Sequence, residues 1–184
     1  MKTRIFILAA ILSLGVISCK KDADTKTTET SAETAEVKPD FKVEVDAATD
    51  KNDDFAVYYT EDGSTNFTAD KALWAGIKAG SEQKLMFQFP DGIVPKALRL
   101  DFGLKTKENQ GNVLLKKVKI TCYNKDFEIK GSDFFTYFVK NDSIDTQIDA
   151  AAGTITFKQN LKSNSAALYY PGAELNNAIA KLIK

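Results

Sequence analysis

From Phe41 onward, apolar and polar residues alternate in short runs, the period of a strand with one buried face. Phe41-Lys42-Val43-Glu44-Val45 alternates strictly, and Lys84 to Phe89 places Leu85, Phe87 and Phe89 on one side. Leu98-Arg99-Leu100-Asp101-Phe102 sets Arg99 and Asp101 opposite three apolar residues. Lys117 to Tyr123 turns Val118, Ile120 and Cys122 inward. Phe55 to Thr60, Phe127 with Ile129, Phe134 to Val139, Thr154 to Phe157 and Ala167 to Tyr170 complete the expected strands. Between them lie Glu61-Asp62-Gly63-Ser64, Pro90-Asp91-Gly92, Gln110-Gly111-Asn112, Lys130-Gly131-Ser132-Asp133 and Ala152-Gly153, residue types that favour turns. Many short strands with one apolar face hide that face by pairing two sheets. The pattern therefore predicts an all-β domain over residues 41–184, an antiparallel β-sandwich of jelly-roll type.

Two segments fit a helix. Ala69 to Ile77 is rich in Ala and Leu, although Gly76 and Gly80 fit a turn or irregular stretch equally well. Ala173 to Lys184 follows Pro171-Gly172 and aligns Leu175, Ala178, Ile179 and Leu182 on one stripe, which predicts a short amphipathic helix closing the end of the sandwich.

The amino terminus has a different pattern. Lys2 and Arg4 precede the uncharged run Ile5 to Ile17, the layout of a secretory signal. As a helix that run would be about 20 Å long at roughly 1.5 Å per residue, short of the roughly 30 Å hydrocarbon core. Val16-Ile17-Ser18-Cys19 resembles the lipobox of bacterial lipoproteins: an aliphatic residue, a small residue before the cut, then cysteine. The resemblance implies a signal peptide over residues 1–18, cleavage before Cys19 and acylation of that cysteine. Two or three chains, at about 0.8 kcal/mol per buried methylene, hold a protein on a membrane. Lys20-Lys21-Asp22-Ala23-Asp24 is similar to the export signal by which some Gram-negative groups display lipoproteins at the cell surface, and it equally suits a solvated tether at the periplasmic face. Asp22 to Asp40 is dominated by Thr, Glu, Ala, Lys, Asp and Ser, with Val37 its one large aliphatic residue. It cannot bury enough apolar surface to offset ordering, so residues 19–40 read as a lipidated cysteine and a disordered linker.

Composition narrows the chemistry. Basic and acidic residues balance at 25 each, which supplies no field for nucleic acid. There is no histidine, which removes histidine-containing triads and His-ligated metal sites. No phosphate loop, dinucleotide fingerprint, nucleophile elbow or zinc spacing occurs. The expectation is a protein without catalytic residues, cofactor or metal.

Individual residues sharpen this. Once Cys19 is lipidated, Cys122 is the one cysteine left, and its inward register fits a buried structural thiol. Asp50, Asn52, Asp54 and Glu61 fall at positions 1, 3, 5 and 12 of an EF-hand loop, but the sixth position, glycine in that loop, is Phe55 at the start of a strand. An EF-hand is rejected, leaving a solvated acidic loop or an irregular calcium site. Arg99 is the one arginine outside the signal peptide, so its forked geometry matters where lysine serves elsewhere. With Asp101 it forms an ion pair or presents polar groups to a ligand. Trp74, Tyr123, Tyr137, Tyr169 and Tyr170 carry both a ring and a polar handle, suited to core packing or to stacking on sugar faces. The candidate ligand-binding residues are Trp74, Arg99, Asp101, Tyr123 and Tyr137.

Gln88 to Tyr123 together with Phe134 to Asn141 resembles the jelly-roll modules that accompany bacterial cell-envelope sugar enzymes and membrane glycosyltransferases, where a Leu-Arg-hydrophobic-Asp strand precedes a hairpin and an aromatic-rich strand. The resemblance implies a galactose-binding-like or carbohydrate-binding-like sandwich with Arg99 and Asp101 at matching positions of unknown role, and departs from those modules in having no attached catalytic domain. Three functions follow: a membrane-tethered module that binds glycan or another envelope component, an accessory lipoprotein that contacts another envelope protein, or a carboxylate-based hydrolase, which needs two acidic side chains roughly 5 to 10 Å apart in a cleft.

Overall fold

The computed structural model describes residues 39–103, 111–158 and 167–184. The expected signal peptide, Cys19 and nearly all of the expected linker lie outside the described residues. Among the described residues, ten strands form two antiparallel sheets. The first sheet contains β1 (Lys42–Thr49), β4 (Gln83–Gln88), β6 (Val113–Cys122), β7 (Lys125–Lys130), β8 (Asp145–Asp149) and β9 (Thr154–Lys158), in the order β4-β1-β6-β9-β8 with β7 also on β6. The second has the order β10-β5-β2-β3, from β2 (Asp53–Thr60), β3 (Ala72–Ile77), β5 (Ala97–Phe102) and β10 (Leu168–Tyr169).

Alternation explains both sheets. In β1, Val43, Val45 and Ala47 are buried while Lys42, Glu44 and Asp46 face out. In β5, Leu98, Leu100 and Phe102 enter the core and Arg99 and Asp101 take the other side. The sheets meet through an aromatic cluster in which Phe102 of β5, Phe157 of β9 and Tyr169 of β10 have ring centroids 4.8 to 5.6 Å apart. Phe134 closes the cluster, 5.3 Å from Phe157 and 5.2 Å from Tyr169.

β6 pairs with β1 along one edge and divides its other edge between two strands. Val113 to Leu115 pair with β9, and Lys117 to Cys122 pair with β7, with a register shift against β1 between Asp46 and Ala47 where the change occurs. Gly131, directly after β7, is packed into this junction: a Cβ there would overlap the Leu115 carbonyl oxygen and lie 2.9 Å from the Ile155 amide nitrogen. Tyr123 and Asn124, with φ of 49° and 62°, form the two-residue turn from β6 to β7, the left-handed geometry that matches strand twist.

Three local expectations are corrected. Ala69 to Ile77 is not a helix but a 3₁₀ turn, Ala69–Lys71, followed by β3. Pairing with β2 overrides the helix-forming composition, and Leu73, Ala75 and Ile77 take the inner side. Phe134 to Val139 is not a strand: Gly131–Asp133 is a 3₁₀ turn that leads into α1 (Phe134–Tyr137). The apolar spacing there is four rather than two, with Phe134 and Phe138 both buried and stacked at 4.5 Å. β8 was absent from the expected strands because, as a mostly exposed edge, it has no alternating apolar side.

The closing helix is as expected. α2 (Ala173–Leu182) buries Leu175, Ile179 and Leu182, and packs on β7 and α1. None of the described helices is long and apolar enough to cross a membrane.

Candidate functional site

The two outer faces differ in kind. That of the first sheet is mostly a lattice of charges around an exposed Met86: Lys117 lies 3.7 Å from Asp46 and 3.4 Å from Glu128, Lys119 lies 2.8 Å from Asp126, and Lys84 lies 3.6 Å from Glu44. Opposite charges on neighbouring strands pair with one another there, although one Asp46 oxygen is buried without a hydrogen-bond partner.

The outer face of the second sheet is built from rings. The register sets Tyr58 beside Arg99, and Ala56 between Asp101 and Trp74. Arg99 donates from Nε and from a terminal nitrogen to the two Asp101 oxygens, each at 2.8 Å, the bidentate geometry that only arginine supplies. The guanidinium carbon lies 4.0 Å from the centre of the Tyr58 ring, 5.5 Å from that of Phe67 and 5.6 Å from that of Tyr170, within the range of cation–π attraction. Trp74 meets Tyr58 edge-on at 5.7 Å, and Phe67 meets Tyr170 at 5.8 Å. Trp74 and Tyr170 remain 45% and 41% exposed, so the rings form a platform over a buried ion pair.

The electrostatics of the pair follow from its burial. Desolvation pushes the Asp101 carboxyl above its ordinary value, opposed by its hydrogen bonds to Arg99 and by the Arg99 charge. Burial also disfavours the Arg99 cation, but the Asp101 hydrogen bonds and charge, with a contribution from Tyr170, outweigh it and raise the guanidinium. The cation is thus held by Asp101 and by the rings of Tyr58, Phe67 and Tyr170. What the face offers a ligand is ring surface, not a free charge at Arg99.

Of the five candidate residues, Trp74, Arg99 and Asp101 come together on this face. Tyr123 and Tyr137 lie elsewhere: Tyr123 is in the β6–β7 turn, and Tyr137 packs edge-on against Phe127 at 5.2 Å. Tyr137 borders a cleft of about 360 Å³ between β7 and α2, rimmed by Lys125, Glu174 and Lys181. Tyr169 belongs wholly to the core. Two contributors to the platform, Tyr58 and Phe67, were not singled out from sequence. The alternation of β2 contained the signal for Tyr58, whereas Phe67 sits in a loop where no periodicity applies.

The acidic loop uses its side chains to tie itself down. Asp50 accepts from the Asn112 amide and side chain, both at 2.7 Å, Asn52 accepts from the Ala79 amide at 2.7 Å, and Glu61 holds Lys71 at 2.9 Å. Phe55 is in the core. Among the described residues no group of three or more His, Cys, Asp or Glu side chains is placed to hold a metal ion. Cys122 is buried, and desolvation raises its thiol above the ordinary value.

Comparison with protein-family models, with curated proteins and with solved structures finds no match to this chain. The chemistry has to be read from its own residues.

Proposed function

We propose that this chain is an envelope lipoprotein, anchored through acyl chains on Cys19, whose sheet domain is a non-catalytic module that binds glycan on the Trp74 face. One observation carries the reading. The outer face of one sheet is dominated by cross-strand ion pairs beside an exposed Met86, while the other keeps the rings of Trp74 and Tyr170 uncovered beside a locked Arg99–Asp101 pair. Flat rings beside fixed polar groups suit the apolar face of a sugar. The jelly-roll classification belongs to the same proposal, supported by the nesting of β1 with β6 in one sheet and β2 with β5 in the other, as when an antiparallel ribbon is rolled. The outer membrane is the proposed location, at its periplasmic face or, through Lys20 to Asp24, at the cell surface.

Trp74 is the sole tryptophan of the chain, so intrinsic fluorescence reports this face directly. Titration with envelope oligosaccharides is expected to shift Trp74 emission, and Trp74→Ala to abolish binding on a glycan array while the circular dichroism stays native. Emission indifferent to every glycan would remove the glycan reading. The anchor has its own test: mass spectrometry of the membrane-extracted chain is expected to find acyl chains on Cys19, and Cys19→Ala to release it.

A second reading, an accessory lipoprotein that contacts another envelope protein, draws on the same uncovered rings, because aromatic residues are enriched at protein interfaces. A stoichiometric partner in pull-down without any glycan response favours it.

A further inference from the structure

The cleft beside Tyr137 has no part in the Trp74 face. It lies between β7 and α2, and its floor is carbon: the rings of Phe127 and Tyr137, meeting edge-on at 5.2 Å, with Ala178 and Leu182 of the helix. Its volume of about 360 Å³ equals about a dozen waters at roughly 30 Å³ each, room for one ligand of about that many non-hydrogen atoms.

The alternation of β7 explains where the cleft opens. Ile129, Phe127 and Lys125 share the inner side of the strand, and burial runs out along it: Ile129 is 1% exposed, Phe127 is partly buried and Lys125 is exposed. Ring and methyl surface beneath a mouth of polar groups is the make-up of a small-molecule site.

The charges at the mouth decide what kind of molecule fits. Asp126 borders the cleft but belongs to the other side of β7, where its carboxylate accepts from the Thr121 hydroxyl at 2.7 Å and lies 2.8 Å from the Lys119 ammonium. Its charge is answered there. Glu174 stands in the first turn of α2 and Lys181 in the last, about 10 Å apart along the axis, too far to pair with each other. Each suits the helix end it occupies, an acid at the positive amino-terminal end and a base at the negative carboxy-terminal end. Lys125 has no helix end beside it and makes no ion pair among the described residues. One unanswered positive charge is left above an apolar floor. The hydroxyl of Tyr137, in the same wall, makes no hydrogen bond with the described residues.

We infer that this cleft binds a small amphiphilic anion, its short hydrocarbon body lying on Phe127 and Tyr137 and its carboxylate held at Lys125. The hydrocarbon replaces water over the rings, and the carboxylate supplies the counter-charge that the chain itself does not. A membrane phospholipid, with two long acyl chains, exceeds the space.

Calorimetry of the full chain in nanodiscs of zwitterionic lipid, with empty discs subtracted, tests the site with octanoate as the probe. One octanoate per chain is expected to bind. Lys125→Glu is expected to weaken binding about tenfold, the scale of one lost charge-assisted hydrogen bond, and Lys125→Arg to hold it within about threefold. Ala178→Phe, which places a ring in the cleft from the partly exposed flank of α2, is expected to abolish binding while the circular dichroism stays native. Trp74→Ala is expected to leave the affinity unchanged, which separates this site from the glycan face. Anionic phospholipid added to the discs is expected not to compete, which separates a free carboxylate from a lipid headgroup. Absence of octanoate heat, an affinity indifferent to Lys125→Glu or to Ala178→Phe, loss of binding in Trp74→Ala, or competition by the anionic lipid overturns the inference.

Discussion

Replacing Tyr169 by Phe isolates the cost of one buried hydroxyl. The ring is fully enclosed, with Phe157, Phe134 and Phe102 centred 4.8, 5.2 and 5.6 Å away, and its oxygen has no hydrogen-bond partner among the described residues. Burying an unsatisfied polar group costs about 1–3 kcal/mol, and the void left by removing one oxygen returns part of that, so Tyr169→Phe is expected to stabilise the fold by about 1 kcal/mol at pH 7. Alkaline pH adds a second term. Burial raises the Tyr169 phenol well above its usual value, so above about pH 10 the unfolded chain releases this proton while the folded chain keeps it. The native state then binds more protons than the unfolded state, and stability falls as pH rises. At pH 11 the loss from this group is about 1.4 kcal/mol, and the Phe variant is free of it. The stability gap between variant and wild type is therefore expected to widen from about 1 to about 2.5 kcal/mol between pH 7 and pH 11. Urea unfolding followed by Trp74 emission measures it, and the other tyrosines contribute equally to both curves. A variant less stable than wild type at pH 7, or curves that run parallel to pH 11, would refute an unpartnered hydroxyl.

Arg99→Ala leaves the Asp101 carboxylate buried without its partner; because the guanidinium still touches solvent, the expected loss is about 3 kcal/mol, the low end for breaking a buried pair. Arg99→Lys, which keeps the charge but not the fork, loses roughly half as much, and adding Asp101→Asn to Arg99→Ala recovers at least about 1 kcal/mol in a double-mutant cycle by urea unfolding. Gly131→Ala drives a methyl into the Leu115 carbonyl and is expected to cost about 3 kcal/mol, whereas Gly76→Ala, with ordinary backbone and only an Asp54 carboxylate oxygen in contact at 3.4 Å, changes thermal stability by less than about 0.5 kcal/mol. The Cys122 thiol is expected to resist a thiol reagent in the native chain and to react at once in urea; rapid native labelling would contradict its burial.

The all-β class was legible in the sequence because strand alternation is a local property: Val43, Val45 and Ala47 of β1, or Leu98, Leu100 and Phe102 of β5, declare a buried face whatever lies opposite. The same logic placed Arg99 and Asp101 together, two residues apart on one strand. The closing helix was legible too, since Leu175, Ile179 and Leu182 recur at helical spacing after Pro171-Gly172. Where a segment's conformation depended on a distant partner, the local pattern misled. Ala72 to Ile77 is a strand because β2 supplies its hydrogen bonds, and Phe134 to Tyr137 is helical because the junction at Gly131 turns the chain under an aromatic cluster assembled from β5, β9 and β10. The candidate face lies between these cases. Sequence named Trp74 from residue type and Arg99 with Asp101 as a pair, but pairing register alone set Tyr58 beside Arg99 and Ala56 between Asp101 and Trp74, and a loop brought Phe67 to the guanidinium. Periodicity determines which side of a strand a residue takes; which strands stand next to one another, and hence which side chains share a surface, is decided only when the sheets close.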